Sequence, residues 1–293
     1  MITLKKCPVC ASVNIEKFIE TEDFFLSKEL FSLSKCRNCQ LVFLNPRPDS
    51  DVLIKYYQSD QYISHHSEGL NPFVALYRYL RERNILYKYN LITKLVKHGS
   101  LLDIGCGTGE FLNYFLLKNW HIKGIEPDLD ARKHAKTVFG LDVYDENMLN
   151  DFANESFDVV TMWHVLEHVL DVNKRVKTVN RLLKKDGIFV VAVPNYLSWD
   201  AAHYNRFWAA YDVPRHLYHF SPNALINLVE KFNFKFLELK PLKLDSYYIS
   251  LISEKYKKGR LPYLNGFING LKSNIYAKKK QNYSSVIYFF RKN

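Results

Sequence analysis

The stretch LLDIGCGTGEFL, residues 101–112, sets an apolar strand against a glycine turn and returns at once to apolar sequence of helical period. This order reads as a strand–turn–helix unit. The alternation continues down the chain. Strand patterns at 100–105, 121–126, 141–145, 157–163, 187–193, 234–242 and 284–291 are separated by helical patterns at 109–118, 129–139, 164–184 and 221–232, with a short helix before 157 and an insert at about 244–283. Such alternation predicts an α/β fold, a parallel sheet with helices on both faces. The segments DVVTMW and GIFVVAV are apolar on both faces, as central strands of such a sheet must be.

The turn constrains its ligand. A dinucleotide site wants G-x-G-x-x-G, whereas here Gly105, Gly107 and Gly109 alternate and Glu110 stands where the third glycine of that pattern belongs. No Gly-Lys-Ser/Thr follows, so the turn is not a P-loop. Asp103 precedes the first glycine by two places. A carboxylate beside a glycine turn that permits close approach suits a ligand carrying an ammonium or other positive charge.

A second feature lies at the other end. Cys7 and Cys10 form one C-x2-C clip, and Cys36 and Cys39 form another after a gap of 25 residues. Two such clips complete a four-thiolate tetrahedral zinc site with no open position, hence a structural one. Residues 1–45 are too few to build a core unaided, so the metal is expected to supply folding energy to a small zinc ribbon. The fifth cysteine, Cys106, is expected to pack inside the turn. The boundary is placed at NPRPDS, 45–50, followed by a tyrosine-rich helical connector over 46–97 that covers a site, with Leu80, Ile85, Leu86, Leu91, Ile92 and Leu95 on its inner face; residues 98–293 form the main domain. No charge-free run is long enough to span a bilayer, and MITLKKCPVC lacks an apolar signal core, so a cytoplasmic location is expected.

The segments LLDIGCGTGEFL, GIEPD, FDVVTMWHVLEHV and LLKKDGIFVVAVPN, in this order, resemble the class I S-adenosylmethionine-dependent methyltransferases over residues 98–243. The resemblance implies a Rossmann-like seven-stranded methyltransferase sheet and S-adenosylmethionine as cofactor. It also implies that Gly105, Gly107 and Gly109 admit the amino-acid part of the cofactor, that Asp103 orients that end, and that Glu126 accepts hydrogen bonds from both ribose hydroxyls. Asp145 is the candidate for adenine, and His164, at the carboxyl end of the fourth strand, faces the methyl group.

WHVLEHV, 163–169, also matches H-x-x-E-H, so a zinc-dependent peptidase using His164, Glu167 and His168 is the rival reading from another class. Quinone O-methyltransferases with a related motif carry a glutamate at the position of His164, which counts against a metal site of their type. Glu167 and His168 otherwise cap and brace a helix.

Residues 199–222, with seven aromatics and three histidines, are too long for an ordinary connection and are expected to cover the acceptor. PRHLYHFSP is similar to the corresponding region of sugar C-methyltransferases that also begin with a four-cysteine zinc domain. There the comparable histidine helps proton transfer, and it aligns with His216. That histidine is either a general base or a structural ring bonded to a carbonyl; Arg215 pairs with substrate or with Asp212; Tyr204, Trp208 and Tyr211 line a pocket or pack. The catalytic candidates are therefore His216 and His164.

Charge is unevenly placed. Of the formal +11, residues 251–293 supply ten Lys or Arg against Glu254 alone. Such a segment attracts anions: nucleotide-linked substrates, anionic lipid surfaces or nucleic acid. Leu264, Phe267, Ile268, Leu271 and Ile275 make an apolar stripe of helical period, which suits either an interfacial helix or one packed on the core. The expected function is methyl transfer to a small-molecule acceptor, a sugar, nucleotide-sugar or quinone-like compound. An RNA-modifying protein gripping its substrate with ribbon and tail is the further alternative, without a recognisable RNA-binding motif.

Overall fold

The computed structural model describes residues 1–57, 72–260 and 262–293, with the side chains of 72–77 left out. In chain order the N-terminal part holds β1 (Ile15–Glu22), β2 (Leu30–Cys36), β3 (Val42–Leu44), α1 (Ser50–Leu53) and α2 (Pro72–Thr93). The central part follows with β4 (Ser100–Ile104), α3 (Glu110–Leu116), β5 (His121–Ile125), α4 (Leu129–Phe139), β6 (Val143–Tyr144), β7 (Phe157–Trp163), α5 (Val172–Leu182) and β8 (Leu183–Pro194). The chain ends with α6 (Trp199–Tyr204), β9 (Tyr218–His219), α7 (Pro222–Glu230), β10 (Phe234–Pro241), α8 (Asp245–Lys258), α9 (Tyr263–Lys280) and β11 (Ser285–Lys292).

Seven of the described strands form one sheet in the order β10-β11-β8-β7-β4-β5-β6. Its register separates the two cores. On β8, Phe189, Val191 and Val193 enter one apolar layer, while Ile188, Val190 and Ala192 enter the other. Leu102 and Ile104 on β4 alternate with Leu101 in the same way, as period-2 side chains must. Each such fully buried side chain contributes roughly 1.5–3 kcal/mol. The sheet is not wholly parallel, however: β11 runs antiparallel to both β10 and β8. The chain leaves β10 and returns from the same edge after α8 and α9, so no crossover carries it back to the other end.

Local chemistry explains where the expected elements hold. Asp128 accepts the N–H of Ala131 at 2.7 Å to open α4, and Gly140 in the left-handed region closes it, so 129–139 is helical as read. The expected helix at 164–184 is shorter. His164 takes a positive φ of 56°, residues 164–171 are irregular around a turn at 166–168, and Asp171 caps α5 by accepting the N–H groups of Asn173 and Lys174. Strand β8 then begins directly at Leu183.

The connector is described on either side of 58–71, a stretch that lies outside the described residues. Leu91 and Ile92 are buried, and Ile85 and Leu95 pack on the core; Leu86 is half-buried, but Leu80 turns to solvent.

The first 45 residues share a sheet with the rest of the chain. The small sheet has the order β1-β2-β3-β9, its fourth strand coming from Tyr218–His219. The N–H of Leu44 donates to the carbonyl of Leu217 at 3.0 Å, and the Thr21 and Tyr196 hydroxyls donate to the carbonyls of Arg206 and Gln40 at 2.6 Å. Buried Arg215 reaches Asp23 at 2.8 Å. One apolar layer runs without interruption from Leu33 and Phe43 to Val191 and Leu228. NPRPDS thus ends β3 while the ribbon's own sheet continues far down the chain.

Candidate active site

The strand order reverses beside β4, where β5 lies on one side and β7 on the other; ligands of open α/β sheets bind at the carboxyl edge there. Gly105, Gly107 and Gly109 occupy that edge at φ of 77°, 55° and 91°. A Cβ on Gly105 would stand 2.3 Å from the Val165 side chain, whereas one on Gly107 would project into open space. Glu126 accepts the N–H of Gly107 at 2.8 Å and that of Asp128 at 3.0 Å, and burial raises its carboxyl above the ordinary range. Asp103 is buried and accepts the Thr161 hydroxyl at 2.6 Å. Burial pushes it up to about 7, partly opposed by Thr161 and by Lys88. Asp145 is exposed and caps a short turn by accepting the N–H of Asn147 at 2.8 Å; its neighbour Tyr144 offers a carbonyl to the N–H of Glu126 at 2.9 Å.

Two residues at this edge carry no sequence signal. Lys88 of α2 sets its Nζ 4.0 Å from the Trp163 ring centroid, and burial lowers it to about 8 against the charges of Asp245 and Asp103. Asp245, the first residue of α8, holds His164 Nε2 at 2.8 Å. A lone lysine on a tyrosine-rich helix and an aspartate 81 positions from its partner follow no local pattern.

His164 also places Nδ1 3.4 Å from Glu167, too long for a good hydrogen bond but close enough for charge. Burial pulls its imidazolium down, but Asp245 and Glu167 outweigh that and raise it to about 10. It is a cation at neutral pH. Because 164–171 is irregular, His164 and His168 do not share a helical face, and His164 is committed to Asp245. The H-x-x-E-H reading therefore lacks the helix its metal ligands require.

Past His164 stands a cluster in which Glu167 is buried and His168 half-buried. Neither carboxylate oxygen of Glu167 accepts a hydrogen bond, and Glu167, His168 and His216 bring one ligand atom each within 4.8 Å of one another. The His168 and His216 rings meet edge-on at 4.5 Å. His168 Nδ1 and the Tyr57 hydroxyl are 3.0 Å apart, and burial drives His168 down to about 4, so it is neutral. His216 Nδ1 donates to the carbonyl of Ala210 at 2.8 Å, which fixes the tautomer and leaves Nε2 as the basic atom, 4.0 Å from Asp212. The loop is tied to this cluster by the N–H of Leu217, which donates to the carbonyl of Glu167 at 2.8 Å.

Other loop residues are structural. Arg215 is 1% exposed and spans Asp212 and Asp23, out of reach of a substrate. Tyr204, Trp208 and Tyr211 are buried; Trp208 donates to Asp200 at 2.8 Å and Tyr204 to Glu254 at 3.3 Å.

At the ribbon, Sγ atoms of Cys7 and Cys39, and of Cys10 and Cys36, lie 3.5 Å apart, and all four fall within 4.8 Å. Those separations are far beyond a disulfide bond and near the roughly 3.8 Å between thiolates at about 2.3 Å from a tetrahedral zinc. The hydrogen bond between Cys7 and Cys39 lowers the first thiol and raises the second, so without a cation the pair shares a proton.

Comparison with known proteins fits this geometry. Residues 76–239 match the family described as "Methyltransferase domain". The chain belongs to that family. Among its relatives, an uncharacterized protein of Methanocaldococcus jannaschii is 38% identical over 108 residues, covering 36% of this chain and 41% of the relative. The ubiquinone biosynthesis O-methyltransferase of Pelagibacter ubique is 29% identical over 194 residues, 61% of this chain and 78% of the relative. That of Actinobacillus pleuropneumoniae is 34% identical over 107 residues, 32% of this chain. The chain thus spans less than half the length of the first and third of these relatives, 41% and 45%. In fold it is similar to S-adenosylmethionine-dependent methyltransferases from Thermotoga maritima and Archaeoglobus fulgidus. The former has a TM-score of 0.51 at 20% identity over 75% of this chain and 97% of that one. The latter has 0.50 at 18% over 76% and 100%. The sheet of this methyltransferase domain is accordingly the expected seven-stranded, Rossmann-like one, and neither the peptidase nor the RNA alternative finds support among these relatives.

Proposed function

We propose that the protein transfers the methyl group of S-adenosylmethionine to a hydroxyl of a small molecule, with His216 as the base. The observation that carries this reading is the cluster of buried Glu167 with His168 and His216 just past the end of β7, in which Nδ1 of His216 is bonded to a carbonyl and Nε2 is left as the basic atom. When bound, S-adenosylmethionine supplies an electrophilic methyl on a sulfonium. Glu126, now bonded to the N–H of Gly107, would hold the ribose hydroxyls, Asp103 would hold the ammonium of the amino-acid end, and Lys88, whose charge is felt at Asp103, would meet the carboxylate. The acceptor hydroxyl would give its proton to His216 Nε2 as its oxygen bonds to the methyl carbon and the bond from that carbon to the sulfonium sulfur breaks, its electron pair staying on sulfur as a neutral thioether. The resulting imidazolium is stabilised by Asp212 and by Glu167, whose buried oxygens lack a hydrogen-bond donor before that charge arrives. His164, already a cation, stands as a positive wall between Asp245 and Glu167 and not as a second base. Asp145 remains the candidate for adenine, next in chain to Tyr144, whose carbonyl meets Glu126. Zinc on Cys7, Cys10, Cys36 and Cys39 has a structural role.

The ubiquinone O-methyltransferase relatives favour a phenolic acceptor, and the similarity of the His216 segment to sugar methyltransferases makes nucleotide-linked sugars the comparison set. A screen with methyl-labelled cofactor against polyhydroxylated phenols, quinone precursors and sugar nucleotides tests the reading. Label is expected in a phenol hydroxyl; label only in RNA, or on carbon of a sugar, would overturn the hydroxyl assignment.

A further inference from the structure

Helix α9 is inside out. Its buried residues are Gly266, Asn269, Gly270, Ser273 and Ala277, which recur every three or four positions and face α8. Gly266 and Gly270 bring the backbone against Leu251 and Tyr247. At about 3.6 residues per turn the opposite face carries Leu264, Phe267, Ile268, Leu271 and Ile275, 38–72% exposed. Soluble helices normally place these types the other way round. The alternative in which the apolar stripe packs on the core is thus overturned: the small polar residues do the packing and the large apolar ones are left in water.

The charges around the face indicate what covers it. Lys255, Lys257, Lys258 and Arg260 end α8 and open the connection beyond it, Lys272 lies on α9, and Lys278, Lys279 and Lys280 end it. The acid of this segment, Glu254, is buried and paired with Lys258 at 2.8 Å. We infer that α9 docks in plane on an anionic lipid surface, its apolar face entering the acyl boundary and its lysines meeting the headgroup phosphates. A second copy of the chain fits less well. A twofold contact through α9 presents the same patch from both sides and sets like charges against each other. None of the described helices is long and apolar enough to cross a membrane, so the contact is peripheral.

Docking at this place reaches the site mechanically. Asp245 of α8 holds His164, Ser253 of α8 accepts the N–H of Ala209 at 2.8 Å, and Ser273 of α9 donates to Asp200 at 2.6 Å. The helix pair that would lie on the lipid therefore also buttresses the loop carrying His216.

Flotation of the full chain with vesicles tests the inference without any cofactor or acceptor, so it stands or falls separately from the proposed reaction. With phosphatidylcholine vesicles containing about 30% phosphatidylglycerol the protein is expected to float, and to be released as salt rises from about 0.1 to 0.5 M. Vesicles of phosphatidylcholine alone should retain at least about tenfold less. Substituting Leu264→Ser with Leu271→Ser, or Lys278→Glu with Lys279→Glu and Lys280→Glu, should each abolish flotation. Both sets lie on the exposed face, and an unchanged melting temperature confirms folding. Failure of the wild type to bind either vesicle, or binding that survives both sets of changes, overturns the inference. So does a wild-type dimer in light scattering that the double serine variant converts to monomer, since a second copy would then cover the face.

Discussion

Replacing His216 with asparagine is expected to lower methyl-transfer turnover about a hundredfold or more while leaving the affinity for S-adenosylmethionine within about twofold. Asparagine keeps the hydrogen bond to the carbonyl of Ala210, so the loop that His216 anchors should survive the change. What disappears is the bare nitrogen near Glu167 and Asp212. A roughly hundredfold loss of turnover in His164→Asn, with His216→Asn fully active, would contradict the assignment. His164 is raised to about 10 by Asp245 and Glu167, so its charge-linked stability is present below the ordinary histidine range and is lost only as pH rises toward 10. His164→Asn should therefore reduce stability near neutrality more than it lowers turnover. Equal activity of both variants would mean that positioning alone carries the transfer.

Loss of zinc is the second large effect. One zinc per chain is expected by metal analysis, and a thiol-competent chelator or Cys36→Ser should lower the melting temperature by roughly 10 °C or more, given that structural zinc supplies on the order of 10 kcal/mol to small metal domains. The damage should not stop at residue 45. Strand β3 pairs with β9, and Asp23 of the ribbon neutralises Arg215, one position before His216. Removing one partner of a buried ion pair costs up to about 3–5 kcal/mol, and less here because Asp212 stays on Arg215. Activity should therefore fall with the metal even though zinc touches no substrate. Purified protein without metal, or a chelated ribbon that melts while turnover persists, would contradict this coupling.

What the sequence disclosed and what it withheld follow one division. Strand β7 and helix α4 are legible because burial on both faces and an Asp-to-Gly pair of caps are local signals. The overlong helix at 164–184 arises because VLEHV carries helical period through what is a turn; only the positive φ at His164 and the Asp171 cap reveal the break. The two-residue strand β9 is too short for any periodicity, so the joining of ribbon to main sheet is invisible until the fold is known. Asp103, the three glycines and Glu126 lie close in sequence and meet at one edge of the sheet. Lys88 and Asp245 are supplied by distant helices, and nothing local marks them. Only a family resemblance singles out His216 in the sequence, since the carbonyl that sets its tautomer and the orphaned carboxylate near it are tertiary facts. In the basic segment the stripe was visible, yet its direction was not, because period alone cannot tell which face of a helix meets the protein.

The central claim, that the turn at 105–109 holds S-adenosylmethionine, is tested most directly by calorimetric titration of the wild type and of Gly107→Val. Nothing lies within 4 Å of the added Cβ, so the protein should stay folded at the modest cost of a left-handed residue, about 1–2 kcal/mol, while the new side chain fills the space the cofactor needs. The wild type is expected to bind S-adenosylmethionine or its demethylated product at one site with micromolar affinity, and the folded variant to bind neither. Binding of NAD in place of S-adenosylmethionine, or undiminished binding by Gly107→Val, would contradict it.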